Sequence, residues 1–337
     1  MGCGGEESQD HPRLSMSRLA VAVLDDHQGL AAGLADWGGL PGPPDVRFFT
    51  HSARDEDELV LWLQDFEVVV AMRERTPFPA SVIERLPRLR LLATTGLRNA
   101  AIDLAACRQH GVTVTGARGG RSGRTSTAEM AWALLLALTK QVLPSHLALC
   151  QGRWQPWLAG SLSGRVLGLA GLGNIGRHMA RMGQAFGMEV IAWSPHLTPE
   201  RAAQDGVRAV SCDALFQQAD VLSLHLVLGS TTAGLVSAQR LALMKSDALL
   251  INTARAGLVD EAALLEALTR RRIAGAGLDV FWQEPLPSDH PLCQLDNVVL
   301  TPHLGYVTHD NLAAFYAGVV DNIRAWTAGG PLLLLAD

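Results

Sequence analysis

One stretch limits what this chain can fold into. An apolar run, Val166-Leu167-Gly168-Leu169-Ala170, meets Gly171-Leu172-Gly173-Asn174-Ile175-Gly176, and the periodicity then changes. Ile175, Met179, Met182 and Phe186 recur at helical spacing up to Gly187, which is placed to stop the helix. A second apolar run, Val190-Ile191-Ala192-Trp193, reads as a strand. Strand, glycine turn, helix and strand together predict a dinucleotide-binding βαβ unit. Gly171 permits the tight turn, Gly173 lets a diphosphate reach the backbone, and Gly176 lets helix and strand pack closely. The open N–H groups and positive end of the helix then hold the anion.

The rest of the sequence extends this pattern on both sides. Before it, strands are expected over 18–25, 46–50, 68–72, 89–94 and 111–115, with helices over 55–63, 79–86 and 102–109. A Gly-, Arg-, Ser- and Thr-rich segment, 117–127, reads as a crossover, with Ser126 or Thr127 capping one long helix over 128–149. That helix is apolar around much of its circumference and is expected to be buried, partly against another subunit. After it, strands are expected over 221–226, 248–252, 275–280 and 298–300, and Asp260 should cap a helix over 260–270. A last helix, 311–326, should return to the first domain. The expected fold is therefore α/β, with two doubly wound parallel sheets. A Rossmann dinucleotide-binding domain, 118–307, is inserted in a flavodoxin-like substrate domain, 16–117 plus 308–337. The two crossings would leave a cleft whose closure excludes water from the substrate.

Composition removes several classes of function. A net charge of −5 gives no reason to expect nucleic acid or an anionic membrane as partner. The five cysteines, without a C-x-x-C, read as reduced and mostly buried thiols of a cytoplasmic protein. No His, Cys, Asp or Glu spacing points to a metal. The most apolar helix is too short to span a bilayer. Residues 1–15 are polar and glycine-rich, which fits a disordered tail, a tag or a start ahead of Met16 rather than a signal peptide.

Arg255, Glu284 and His303 stand at the ends of expected strands, where open α/β sheets bind ligands. Histidine is the side chain whose charge changes nearest neutrality, so His303 is the best proton donor or acceptor of the three. Glu284 is placed to bond the other ring nitrogen and favour the imidazolium. Arg255 offers a planar fork for a carboxylate.

Three motifs now fall in order: residues 250–255 (LINTAR), 277–287 (GLDVFWQEPLP) and 297–305 (NVVLTPHLG). Together they resemble the arginine, acid and histidine motifs of the D-isomer-specific 2-hydroxyacid dehydrogenases, which include glyoxylate and hydroxypyruvate reductases. The resemblance runs from Arg18 to the last helix and is strongest over 162–306. It implies that Arg255 binds the carboxylate and carbonyl of a small 2-keto or 2-hydroxy acid. It also implies that His303 exchanges a proton with the substrate oxygen and that Glu284 holds His303. Main-chain N–H groups of Gly96, Leu97 and Arg98 would hold the carboxylate. Asp279 would meet the nicotinamide carboxamide, and Asn174 and Ile175 the diphosphate. Thr127, His225, Leu226, Thr253 and Ala254 would line the cofactor. D stereochemistry and a homodimer follow from the same resemblance.

Some readings stay open. His225 is either a satisfied core histidine or a cofactor contact. Trp154 and Trp157 belong to a subunit interface, the pocket or the core. His27, His51 and His110 read as surface or loop residues. Ala256 stands where the family usually has glycine, which would shift the local turn. Ser194 stands where an NAD enzyme usually has Asp or Glu, yet no arginine directly follows, so the expected cofactor is NAD or NADP with a lean to NAD. A phosphite dehydrogenase shares the Arg–Glu–His set, whereas formate enzymes usually pair the histidine with Gln. A dinucleotide-sensing co-repressor or a phosphoglycerate dehydrogenase with a regulatory domain would be expected to carry further segments beyond Asp337.

Overall fold

A computed structural model describes residues 18–42 and 44–335; the tail expected over 1–15 lies outside them. The chain divides into two compact units, one of Met1–Gly119 with Leu312–Asp337 and one of Gly120–Asn311. The expected boundaries at 117 and 307 fall short of these. Residues 308–311 are tied to the start of the second unit: Asn311 Oδ1 accepts from Gly120 N at 2.9 Å, and the Ser122 hydroxyl donates to Asp310.

The first unit holds β1 (Ala20–Val23), β2 (Asp45–Phe48), β3 (Val68–Ala71), β4 (Leu91–Thr95) and β5 (Thr113–Ala117). They form one parallel sheet in the order β2-β1-β3-β4-β5, the flavodoxin-like arrangement. The inner strands are buried on both faces, which is why β3 is an unbroken VVVA. The helix Glu56–Leu63 begins at Asp55, whose carboxylate accepts from Glu58 N, and buries Leu59 and Leu63. The last helix, His309–Thr327, runs into this unit as expected: Asn322 Nδ2 donates to Gly116 O at 2.9 Å, and Arg324 pairs with Asp36 at 2.6 Å.

The second unit carries β6 (Val166–Ala170), β7 (Glu189–Trp193), β8 (Arg208–Ala209), β9 (Val221–Leu224), β10 (Leu249–Asn252), β11 (Gly275–Leu278) and β12 (Val298–Leu300). Their order is β12-β11-β10-β9-β6-β7-β8, all parallel, so strand order reverses at β6 as in a Rossmann sheet. Asp260 caps the helix Glu261–Thr269 by accepting from Ala263 N.

Four expectations need correction. The single helix over 128–149 is two helices, Ser126–Thr139 and Val142–Cys150, bent by 55° at Gln141, whose φ is 52°. Pro144 explains the break: it has no N–H for the carbonyl one turn back, so it is tolerated only in a helix's first turn. The first of the two helices buries Trp132, Leu134 and Leu135, whereas the second exposes Val142, Leu143, Leu147 and Leu149. Neither Ser126 nor Thr127 caps, because the helix already starts at Ser126 after Thr125 and the Ser126 hydroxyl has no partner among the described residues. The cysteines are not mostly buried. Cys107 is, and burial pushes its thiol up to about 11, but Cys150 and Cys293 are exposed. Trp154 and Trp157 are not core residues, since both stand in solvent. Among the described residues no single helix is long and apolar enough to cross a membrane, and no group of acids, cysteines and histidines could hold a metal ion.

Candidate active site

The glycine turn is held at both of its tight points. Gly171 has φ +105°, and a Cβ there would lie 2.6 Å from His225 O. A Cβ on Gly176 would collide with Gly171 O. Gly173 differs, since a Cβ on it would meet nothing within 4 Å. It is exposed and opens the helix Asn174–Ala185, whose first residue is also exposed. Open space above unpaired helical N–H groups is what a diphosphate requires.

Reading along the carboxyl edge of the sheet from β7 to β12, each strand delivers one part of the site. Ser194 follows β7, the glycine turn follows β6, and His225 and Leu226 follow β9. Thr253, Ala254 and Arg255 follow β10, Asp279 and Glu284 follow β11, and His303 follows β12. Neighbouring strands lie about 4.8 Å apart, so this edge can bind a long, extended ligand. Two buried polar atoms at adjacent strand ends, His225 Nδ1 and Thr253 Oγ1, have no hydrogen-bond partner among the described residues. The His225 Nε2 atom lies 2.8 Å from Ser223 Oγ, and burial pushes the ring's pKa down to about 3, so it is neutral.

His303 and Glu284 meet at 2.7 Å, Nδ1 to Oε2. The acid accepts with its other oxygen, Oε1, from Phe281 N at 2.9 Å. The carboxylate accepts from Nδ1–H and leaves Nε2 as the nitrogen for exchange. The His303 φ of 55° is left-handed, unusual for a residue with a Cβ. Asp279 explains how that conformation is held. Fully buried, it accepts from Thr301 Oγ1 at 2.6 Å, Leu304 N at 2.8 Å and Gly305 N at 2.8 Å, bracketing His303 on both sides. Burial raises its pKa against these bonds and the nearby His303 charge. Thr127 donates to Gly305 O at 3.0 Å, and the Tyr306 ring stands edge-on to His303 at 5.4 Å. No sequence signal pointed to the Asp279 and Thr127 bonds, because both are long-range.

Arg255 is half-buried. Its turn is braced by Asn252, which accepts from Ala254 N and donates to Arg255 O, both at 3.0 Å. Ala256 starts a short 3-10 turn and is not among the residues with positive φ, so no glycine is needed there. In the first unit Gly96 departs from its expected role. Its N–H donates to Ala117 O at 2.8 Å, an extra rung beyond β4, and is not available to a substrate. Leu97 and Arg98 follow it, exposed, and among the described residues their N–H groups make no main-chain bond. His27, His51 and His110 are exposed.

Residues 132–305 match the family model for the D-isomer specific 2-hydroxyacid dehydrogenase NAD binding domain. The chain belongs to this family. The matched domain is an NAD binding domain lying in the second unit, so NAD is the cofactor. It is 37% identical over 277 residues to the D-3-phosphoglycerate dehydrogenase of Mycobacterium bovis, covering 82% of this chain and 52% of that protein. It is 34% identical over 293 residues to the glyoxylate reductase of Korarchaeum cryptofilum, covering 85% and 84%. The chain spans about half the length of the phosphoglycerate dehydrogenases it matches. A crystal structure of phosphoglycerate oxidoreductase from Vibrio cholerae superposes with a TM-score of 0.86 at 37% identity, covering 93% of this chain and all of that one.

Proposed function

We propose that the protein transfers a hydride between NAD and C2 of a small 2-keto or 2-hydroxy acid, with D stereochemistry. The observation that carries this is the His303–Glu284 pair at 2.7 Å on the same sheet edge as the glycine turn. When bound, the cofactor supplies or receives the hydride. In the reductive direction His303 Nε2–H gives its proton to the carbonyl oxygen, and in the oxidative direction Nε2 removes the hydroxyl proton. Glu284 fixes the tautomer and stabilises the charged ring. Arg255 binds the substrate carboxylate with its planar fork. Gly173, Asn174 and Ile175 hold the diphosphate. Leu226, Thr253 and Ala254 line the cofactor with Thr127, and Asp279 offers its remaining lone pairs to the carboxamide.

The substrate panel is glyoxylate, hydroxypyruvate and pyruvate with NADH, and 3-phosphoglycerate with NAD; glyoxylate and 3-phosphoglycerate follow from the relatives' names. Absorbance at 340 nm reports turnover, beside a His303→Ala control. Turnover lost in the control supports the reading. Dinucleotide binding without turnover of any acid would sink it and favour a phosphite enzyme or a sensing protein.

The partner we propose is a second copy of this chain. Val142, Leu143, Leu147 and Leu149 are about half exposed, and Trp154 and Leu158 stand at 76% and 98%. An apolar surface of this kind on one short stretch is typical of an interface. Sedimentation of the full chain tests it, and a monomer at micromolar concentration would refute it.

A further inference from the structure

The chain enters the second unit at Gly120 and leaves it at Asn311. One side chain joins these two ends to the loop that carries His303. Asn311 is buried and lies in the first turn of the helix His309–Thr327. Its Oδ1 accepts from Gly120 N at 2.9 Å, and its Nδ2 donates to Tyr306 O at 2.7 Å. A carboxamide has one accepting and one donating end, and here each meets the opposite kind of main-chain group, which fixes its orientation. The fit beside it is tight. A Cβ on Gly123 would lie 2.4 Å from Asn311 Oδ1 and 2.9 Å from its Cγ.

The bond to Tyr306 completes the support of a strained loop. His303 has a φ of 55°, a conformation that persists only where the surroundings hold it. Asp279 holds Leu304 N and Gly305 N, and Thr127 holds Gly305 O. Val307 N closes a turn onto Leu304 O at 2.9 Å. Tyr306 O accepts from Thr308 N at 3.0 Å as well as from Asn311. The Tyr306 ring stands edge-on to the imidazole at 5.4 Å, so the main chain that Asn311 grips also carries the ring that flanks His303. Ser122, whose hydroxyl donates to Asp310, ties the same two ends of the unit by a different route.

We infer that Asn311 is a positioning residue for His303. Through Tyr306 O it fixes the histidine loop to Gly120, so that the imidazole presents Nε2 in one place. It acts through the Tyr306 main chain and not on the substrate. The inference rests on the hydride-transfer reading of His303.

Two variants disturb the carboxamide differently: Asn311→Ala deletes it, and Gly123→Ala pushes on it. Ser122→Ala is the control. Magnetic resonance of the full chain with isotope-labelled histidine rings, assigned with His303→Gln, needs neither cofactor nor substrate. In both variants the His303 ring signals should shift, while those of His225 and His290 in the same unit stay in place. Ser122→Ala should leave all three in place. In the reductase assay kcat should fall about tenfold in both variants, because a misplacement of about 1 Å can cost about a hundredfold. Calorimetry should find NADH affinity within about twofold of wild type. Ser122→Ala should keep kcat within about twofold. Unmoved His303 signals or unchanged kcat in both variants would overturn the inference and leave the hydride-transfer reading standing. A loss of kcat in Ser122→Ala as large as in Asn311→Ala would overturn it in the same way. A wild type that turns over no acid would overturn both.

Discussion

His225 makes a quantitative prediction that needs no substrate. Its ring lies partly buried at the end of β9, Nε2 beside Ser223 and Nδ1 without a partner among the described residues, and burial takes its pKa from 6.5 to about 3. The folded pKa is the lower one, so the unfolded chain takes up the proton first. The stability contributed by the neutral ring is complete above about pH 6.5 and is lost progressively as pH falls toward about 3. One proton corresponds to about 1.4 kcal/mol per pH unit, so about 2 kcal/mol is lost between pH 6.5 and 5. Urea unfolding at about pH 7.5 and pH 5, without nucleotide, measures this for the wild type and His225→Gln. Carboxylates titrate in both proteins and cancel in the difference. The variant, whatever it loses at pH 7.5, should lose about 2 kcal/mol less than the wild type on acidification. Equal losses would refute the assignment of a buried neutral ring.

The glycines of the turn should separate by mutation. Gly173→Ala should unfold like the wild type yet bind NADH at least about tenfold more weakly, whereas Gly176→Ala, aimed at Gly171 O, should lose stability by about 1–3 kcal/mol in the same urea titration. Glu284→Gln keeps a group at hydrogen-bond distance but removes the charge that favours the imidazolium. The rate of NADH oxidation at 340 nm should show kcat for reduction down about tenfold or more. Asp279→Asn leaves one of Leu304 N and Gly305 N facing a donor, which should cost about 1–3 kcal/mol in urea unfolding and lower both kcat and NADH affinity. Leu143→Asp with Leu147→Asp should turn a sedimenting dimer into a monomer without lowering the thermal midpoint of the monomer fold.

What could be read in the sequence had a local cause. The glycine turn announces itself because strand, turn and helix occupy consecutive residues. Arg255, Glu284 and His303 are found because each follows an apolar strand, and parallel sheets bring such ends to one edge. The bend at Gln141 was hidden by apolar residues that keep their helical spacing through it, although Pro144 signalled it. β8 is two residues long, too short for any period. The hold of Asp279 on residues 301–305 and of Gly96 on Ala117 depends on strand register, which pairwise spacing in one sequence does not encode.

One unit interrupts the other, and this has a consequence for how the chain acquires its structure as it is made. Domains generally fold as units, the N-terminal one first. Here the first unit's β5 has to wait for the last helix, because Gly116 O is bonded by Asn322, and Leu335 N returns to Val114 O. The inserted unit, Gly120–Asn311, is complete once the first turn of that helix is synthesised and before the part that covers β5. The ribosome therefore releases a finished nucleotide-binding body ahead of the sheet that started first. A ligand for the glycine turn can stabilise the nascent chain while its first strands still lack their final cover.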